Sequence, residues 1–246
     1  MNFTIMKKVN LKNFKYNLFE PFLSNTNVST IILYHGWGTD ADSYSNFAEE
    51  IANKGFRVIV PEILYHDTRN IVDNHFNKEV IQNYFWKTIV ESIEEFDEFT
   101  KVLGIQLQKT IVAGSSMGGF IANGIFASSK KLGGLVNING SGSFLLSERQ
   151  FRKMDNRPEI PVEEEHMLRK YNPVERKNCN SPVLLMHGDS DQTVPVEGQK
   201  EYFKHLTEVE GRKDVDLLIY EDINHQISLK MLKDLMVWLN KFQKKE

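Results

Sequence analysis

The sequence predicts an α/β fold in which a mostly parallel, twisted sheet carries helices on both faces. Three observations predict it. Short apolar runs rich in β-branched residues alternate with longer segments of helical period. The runs are strand-sized and apolar along their length, as strands covered on both faces are. The chemistry-bearing motifs each stand directly after one of these runs, where parallel strands bring their C-terminal ends to one edge.

Residues 29–34 are the first such run, bounded by Asn27 and Gly36. Tyr44, Phe47, Ala48 and Ile51 then follow at helical spacing, with Gly55 where a helix C-cap belongs. A second strand over 56–60 is stopped by Pro61. Ile81, Tyr84, Phe85, Thr88, Ile89, Ser92, Ile93 and Phe96 keep a helical period, and Gly104 closes that helix. Residues 109–113 read as a strand, and 117–127 as a helix with Phe120, Ile121 and Ile125 on one face. Further strands are expected at 135–138, 183–186 and 215–220, and helices at about 197–208 and 228–243. The last helix offers Leu229, Leu232, Leu235, Met236, Leu239 and Phe242 as its apolar stripe. Only 141–180 breaks the rhythm: it is polar, carries Pro158, Pro161 and Pro173, and has helical pieces near 147–154 and 162–170. It reads as a lid inserted over the active-site edge of a single domain spanning 1–246.

Composition narrows the function. A net charge of −3 provides no basic footprint for nucleic acid. No apolar stretch reaches membrane-spanning length, and no apolar block follows the first lysines as in a secretory signal. The single cysteine, Cys179, excludes an internal disulfide and any multi-cysteine metal site. A cytoplasmic protein that needs no metal or cofactor is expected.

Four motifs carry chemistry. Gly114-Ser115-Ser116-Met117-Gly118-Gly119 has the form G-x-S-x-G between a strand and a helix. That setting holds a serine at the apex of a sharp turn, with glycines two positions either side making room. Ser116 is the candidate nucleophile, and Ser115 occupies an x position. His35-Gly36-Trp37-Gly38 follows the first strand. Acyl chemistry needs two N–H donors aimed at the developing oxyanion, and the backbone amides of Trp37 and Met117 stand where these are expected. His187-Gly188-Asp189-Ser190-Asp191 follows another strand and offers Asp191 as the triad acid, with Asp189 as its rival or as a loop-shaping Asx turn. His225 lies beyond the last strand, completing the order Ser…Asp…His, and is the candidate base. His35 reads as a structural histidine, His187 as a packed ring, and His66 and His75 as pocket-lining candidates.

Together, H-G-W-G at 35–38, G-S-S-M-G-G at 114–119 and H-G-x-x-D-x-x-V-P at 187–195 resemble the α/β-hydrolase superfamily over essentially the whole chain. The likeness is to small single-domain bacterial serine esterases of the prolyl oligopeptidase and dienelactone hydrolase-like group. It implies the α/β-hydrolase fold, nucleophile Ser116, acid Asp191, base His225 and oxyanion donors Trp37 and Met117. Dienelactone hydrolase has a cysteine where this chain has Ser116, so its substrate is not implied. The oligopeptidases have a propeller domain for which 246 residues leave no room, so peptide cleavage is not expected. The expected activity is hydrolysis of small-molecule carboxylic esters through an acyl-enzyme. Thioesters or small peptides on the same triad, and an inactive small-molecule binding protein on this fold, are the alternatives.

Overall fold

The computed structural model of the protein describes residues 4–21 and 28–243. Its core is one eight-stranded sheet. In chain order the strands are β1 (Ile5–Leu11), β2 (Phe14–Glu20), β3 (Thr30–Tyr34), β4 (Arg57–Pro61), β5 (Thr110–Ser115), β6 (Gly134–Ile138), β7 (Val183–Gly188) and β8 (Val215–Tyr220). Their spatial order is β1-β2-β4-β3-β5-β6-β7-β8. The hairpin β1–β2 and its junction with β4 are antiparallel, and every other pairing is parallel. This is the sheet of an α/β-hydrolase fold.

The predicted strands from residue 29 onward are all present. The β1–β2 hairpin lies ahead of them, and no sequence signal marks it. Its turn is Lys12-Asn13, with Lys12 in the left-handed region at φ 57°, and lacks the glycine that marks such turns. β1 is also an edge strand with nearly every residue exposed, so no apolar run signals it.

Among the described residues, seven α-helices cover the sheet: α1 (Ser45–Ala52), α2 (Lys78–Leu103), α3 (Met117–Ser128), α4 (Phe144–Met154), α5 (Val162–Tyr171), α6 (Glu197–Lys204) and α7 (Leu229–Gln243). Side chains alternate along each strand, and the two resulting sets define two cores. Ile31 and Leu33 face α1 and α7, whereas Ile32 and Tyr34 face α2 and α3. The long helix α2 starts because the Asn77 side chain accepts the Glu79 N–H at 2.9 Å, and stops at Gly104 in the left-handed conformation. α3 is apolar almost all round, and its residues 117–127 are all buried between the sheet and α2.

The stripe expected on α7 is partly out of phase. Met231, Leu235, Trp238 and Leu239 are its buried residues, and Leu229 is 77% exposed. Residues 141–180 carry α4 and α5 and continue the α2–α3 core. Phe144 packs on Trp86 and Phe120, and Glu148 accepts the Trp86 indole N–H at 2.7 Å. Arg152 and Arg157 reach the same buried carboxylate at 2.6 and 3.0 Å, which balances its charge. No helix among the described residues is long and apolar enough to cross a membrane.

Candidate active site

The site is assembled from loops at the C-terminal edge of the parallel strands. Ser116 occupies the turn between β5 and α3 at φ 56°, ψ −123°, a strained conformation for a residue with a side chain. Two glycines permit the turn. A Cβ on Gly114 would lie 2.0 Å from the Gly118 carbonyl oxygen, and one on Gly118 would lie 2.1 Å from that of Tyr34. The Ser116 amide is spent on the Ile138 carbonyl at 2.9 Å, which anchors the turn to the end of β6.

Three of the sequence-predicted residues meet in one hydrogen-bonded chain. The Ser116 hydroxyl lies 2.8 Å from His225 Nε2, and His225 Nδ1 lies 2.7 Å from Asp191 Oδ2. A carboxylate can only accept, so Nδ1 carries the proton and the Nε2 lone pair faces Ser116. The Asp191 side chain is fully buried and that of His225 is 22% exposed. The second oxygen of Asp191 accepts the Thr193 and Val194 amides at 2.9 and 2.8 Å. Burial alone would raise the acid. Hydrogen bonds from His187 and His225 outweigh burial and hold it well below the usual carboxylate range.

His187 is packed, as the sequence suggests, and it also has a job. Its Nε2 lies 2.8 Å from the Val194 carbonyl oxygen and 3.3 Å from Asp191 Oδ2, so that nitrogen bears the hydrogen. Asp189 does not touch His225. Its carboxylate accepts the Ser190 hydroxyl and the Asp222 amide, both at 2.9 Å, which is the loop-shaping alternative.

Two asparagines were missed by sequence reasoning. Asn224 Oδ1 accepts the amides of Gln192 at 3.0 Å and His225 at 2.8 Å, binding the acid loop to the base loop. Asn139, at φ 52°, accepts the Gly188 amide and donates to the Gln226 carbonyl, tying β6, β7 and the base loop together. Their only signal is position: each follows a strand, one beside Gly140 and the other beside His225.

The loop after β3 lies against the serine, since a Cβ on Gly36 would come 3.4 Å from Ser116 Cβ. Neither the Trp37 nor the Met117 amide donates a hydrogen bond among the described residues. The Trp37 indole donates to the His75 carbonyl at 2.7 Å. His35 is buried and bonded to Asp67 at 2.9 Å, in keeping with a structural role.

His66, expected to line a pocket, is instead fully buried. Burial and the neighbouring His35 push it down to about 3. The unfolded chain therefore takes up this proton first, and stability falls as pH drops below about 6.5 towards 3. The expected loss from this group between pH 7 and pH 5 is ~2 kcal/mol. Urea unfolding at the two pH values checks it: His66→Gln should lose less than the wild type by that amount, and an equal loss refutes it. Among the described residues, no group of three His, Cys, Asp or Glu side chains is arranged to hold a metal.

Four similarities to known proteins bear on this arrangement. The chain is 26% identical over 190 residues to YitV of Bacillus subtilis, provisionally named an esterase, covering 72% of this chain and 73% of that protein. It is 25% identical over 219 residues to the esterase YjfP of Escherichia coli, covering 83% and 85%. Its fold superposes with a TM-score of 0.72, at 14% identity, on a Klebsiella pneumoniae structure provisionally named a dienelactone hydrolase, covering 98% of this chain and 99% of that one. The model of the prolyl oligopeptidase family matches residues 44–245, a span that holds Ser116, Asp191 and His225, and the chain belongs to that family of α/β-hydrolases.

Proposed function

We propose that this protein is a serine esterase that cleaves small-molecule carboxylic esters through an acyl-enzyme. The hydrogen-bonded chain from Ser116 through His225 to Asp191, at 2.8 and 2.7 Å, carries the reading. Ser116 Oγ attacks the ester carbonyl while His225 Nε2 takes its proton, and the tetrahedral oxyanion rests on the amides of Trp37 and Met117. His225 then protonates the departing alkoxide. Water repeats the sequence on the acyl-enzyme and releases the acid. Asp191 stays ionised throughout and holds the imidazolium. The esterase names of YitV and YjfP favour ester over peptide bonds. The reading is of a cytoplasmic enzyme without a cofactor.

The test is hydrolysis of p-nitrophenyl acetate, butyrate and octanoate, set beside an acyl-CoA and an aminoacyl anilide. The esters should be cleaved fastest; preferential turnover of either other substrate would displace the ester assignment.

The acyl chain is proposed to run along a row of half-buried rings. Trp37 meets Phe85 at 5.9 Å, and Phe85 meets Phe151 at 5.7 Å in perpendicular contact. Phe151 belongs to α4, so the 141–180 segment would act as the lid that sets acyl length. Phe151→Ala should raise kcat/KM for octanoate relative to butyrate about tenfold. An unchanged ratio places the chain elsewhere.

A further inference from the structure

Four consecutive amides follow β3, and three of them are committed. Gly36 N–H donates to the Tyr44 hydroxyl at 3.0 Å, Gly38 N–H to His66 Nε2 at 3.1 Å, and Thr39 N–H to the Gly36 carbonyl at 3.4 Å. The fourth, Trp37 N–H, donates to nothing among the described residues. We propose that Tyr44 and His66 are positioning residues that aim the Trp37 amide at the oxyanion by gripping the peptide planes on either side of it. The proposal rests on the esterase reading above.

Peptide units are rigid planes, so two fixed planes leave the one between them little freedom. Both clamps are themselves held. His66 Nδ1 lies 3.2 Å from the Leu64 carbonyl oxygen and so carries the proton, which leaves Nε2 as an acceptor. The ring packs edge-on against Trp37 at 4.8 Å and lies 4.2 Å from the His75 ring. Burial keeps His66 neutral at working pH, so the Gly38 amide retains its acceptor. Burial likewise raises the Tyr44 phenol, and its oxygen accepts from Gly36 as a neutral hydroxyl. Gly38 completes the turn at φ 69°, where a Cβ would strike the Phe76 ring at 2.8 Å.

A donor stabilises an oxyanion only within a narrow range of distance and angle, so misaiming should cost rate rather than binding. The experiment compares the wild type, Tyr44→Phe, His66→Ala and His66→Gln. It measures kcat and KM for p-nitrophenyl butyrate, and inhibition by a trifluoromethyl ketone whose adduct with Ser116 carries an oxyanion. Tyr44→Phe removes one oxygen atom and keeps the ring, so it tests the clamp even if His66→Ala does not fold.

Tyr44→Phe and His66→Ala should each lower kcat about tenfold with KM within about twofold, a smaller effect than deleting a donor outright. Inhibitor affinity should fall in the same proportion as kcat. His66→Gln, which retains an acceptor, should recover most of the loss. Folded variants with unchanged kcat overturn the clamp. So does a fall in kcat without a matching fall in inhibitor affinity, which would mark a structural role only. A folded wild type that neither hydrolyses the ester nor reacts with a fluorophosphonate overturns the esterase reading itself, and the clamp's role with it.

Discussion

Ser116→Ala is expected to lower kcat for p-nitrophenyl esters by about 10⁶-fold, the scale seen when a hydrolase loses its nucleophile. The reason is geometric as well as chemical. Ser116 sits at φ 56° on a turn that Gly114 and Gly118 make possible, and its oxygen faces the His225 lone pair at 2.8 Å. Ser115 does not substitute for it. That residue ends β5 and is buried within the strand. Alanine also keeps a Cβ at the strained position, so the fold should survive. A residual rate of 10³–10⁴ over water would come from the oxyanion donors alone. Loss of less than tenfold in a folded variant would mean that another group attacks the ester.

The second large effect is expected at Asp191→Asn, with kcat falling roughly 10⁴-fold. An amide in place of the carboxylate can donate to Nδ1, which favours the wrong imidazole tautomer and removes the charge that balances the imidazolium. Asp189→Asn is the matched comparison. Asp189 bonds Ser190 and the Asp222 amide but not His225, so its loss should change kcat by no more than severalfold. Steady-state kinetics of both variants on one ester decide the matter. Equal losses would remove Asp191 from its special role, and a larger loss at Asp189 would exchange the two.

Much of the fold was legible because local chemistry and position agree. Each parallel strand is a short apolar run, and Gly55 and Gly104 mark helix ends with the positive φ that only glycine adopts cheaply. That Ser116, Asp191 and His225 meet is legible because each follows a strand, and parallel topology then delivers all three to one edge. Where pattern and packing part company, sequence pattern misleads. β1 is exposed and its turn lacks glycine, so neither hydrophobicity nor punctuation betrays it.

On α7 the leucines suggest one phase, but the larger indole of Trp238 and the thioether of Met231 occupy the core while Leu229 faces solvent. His66 was misread for a different reason. Its partner is the Gly38 backbone amide, 28 residues away, and no side-chain pattern in the sequence encodes a bond to backbone across that distance. Asn139 and Asn224 were invisible on the same ground, since they act by tying loops that only the finished sheet brings together.

Fluorophosphonate labelling read by peptide mass spectrometry tests whether Ser116 is an activated nucleophile. The wild type should take up one label per chain, on Ser116, and Ser116→Ala should take up none. A folded wild type that stays unlabelled, or that carries the label on Ser115 or another residue, would contradict that role for Ser116.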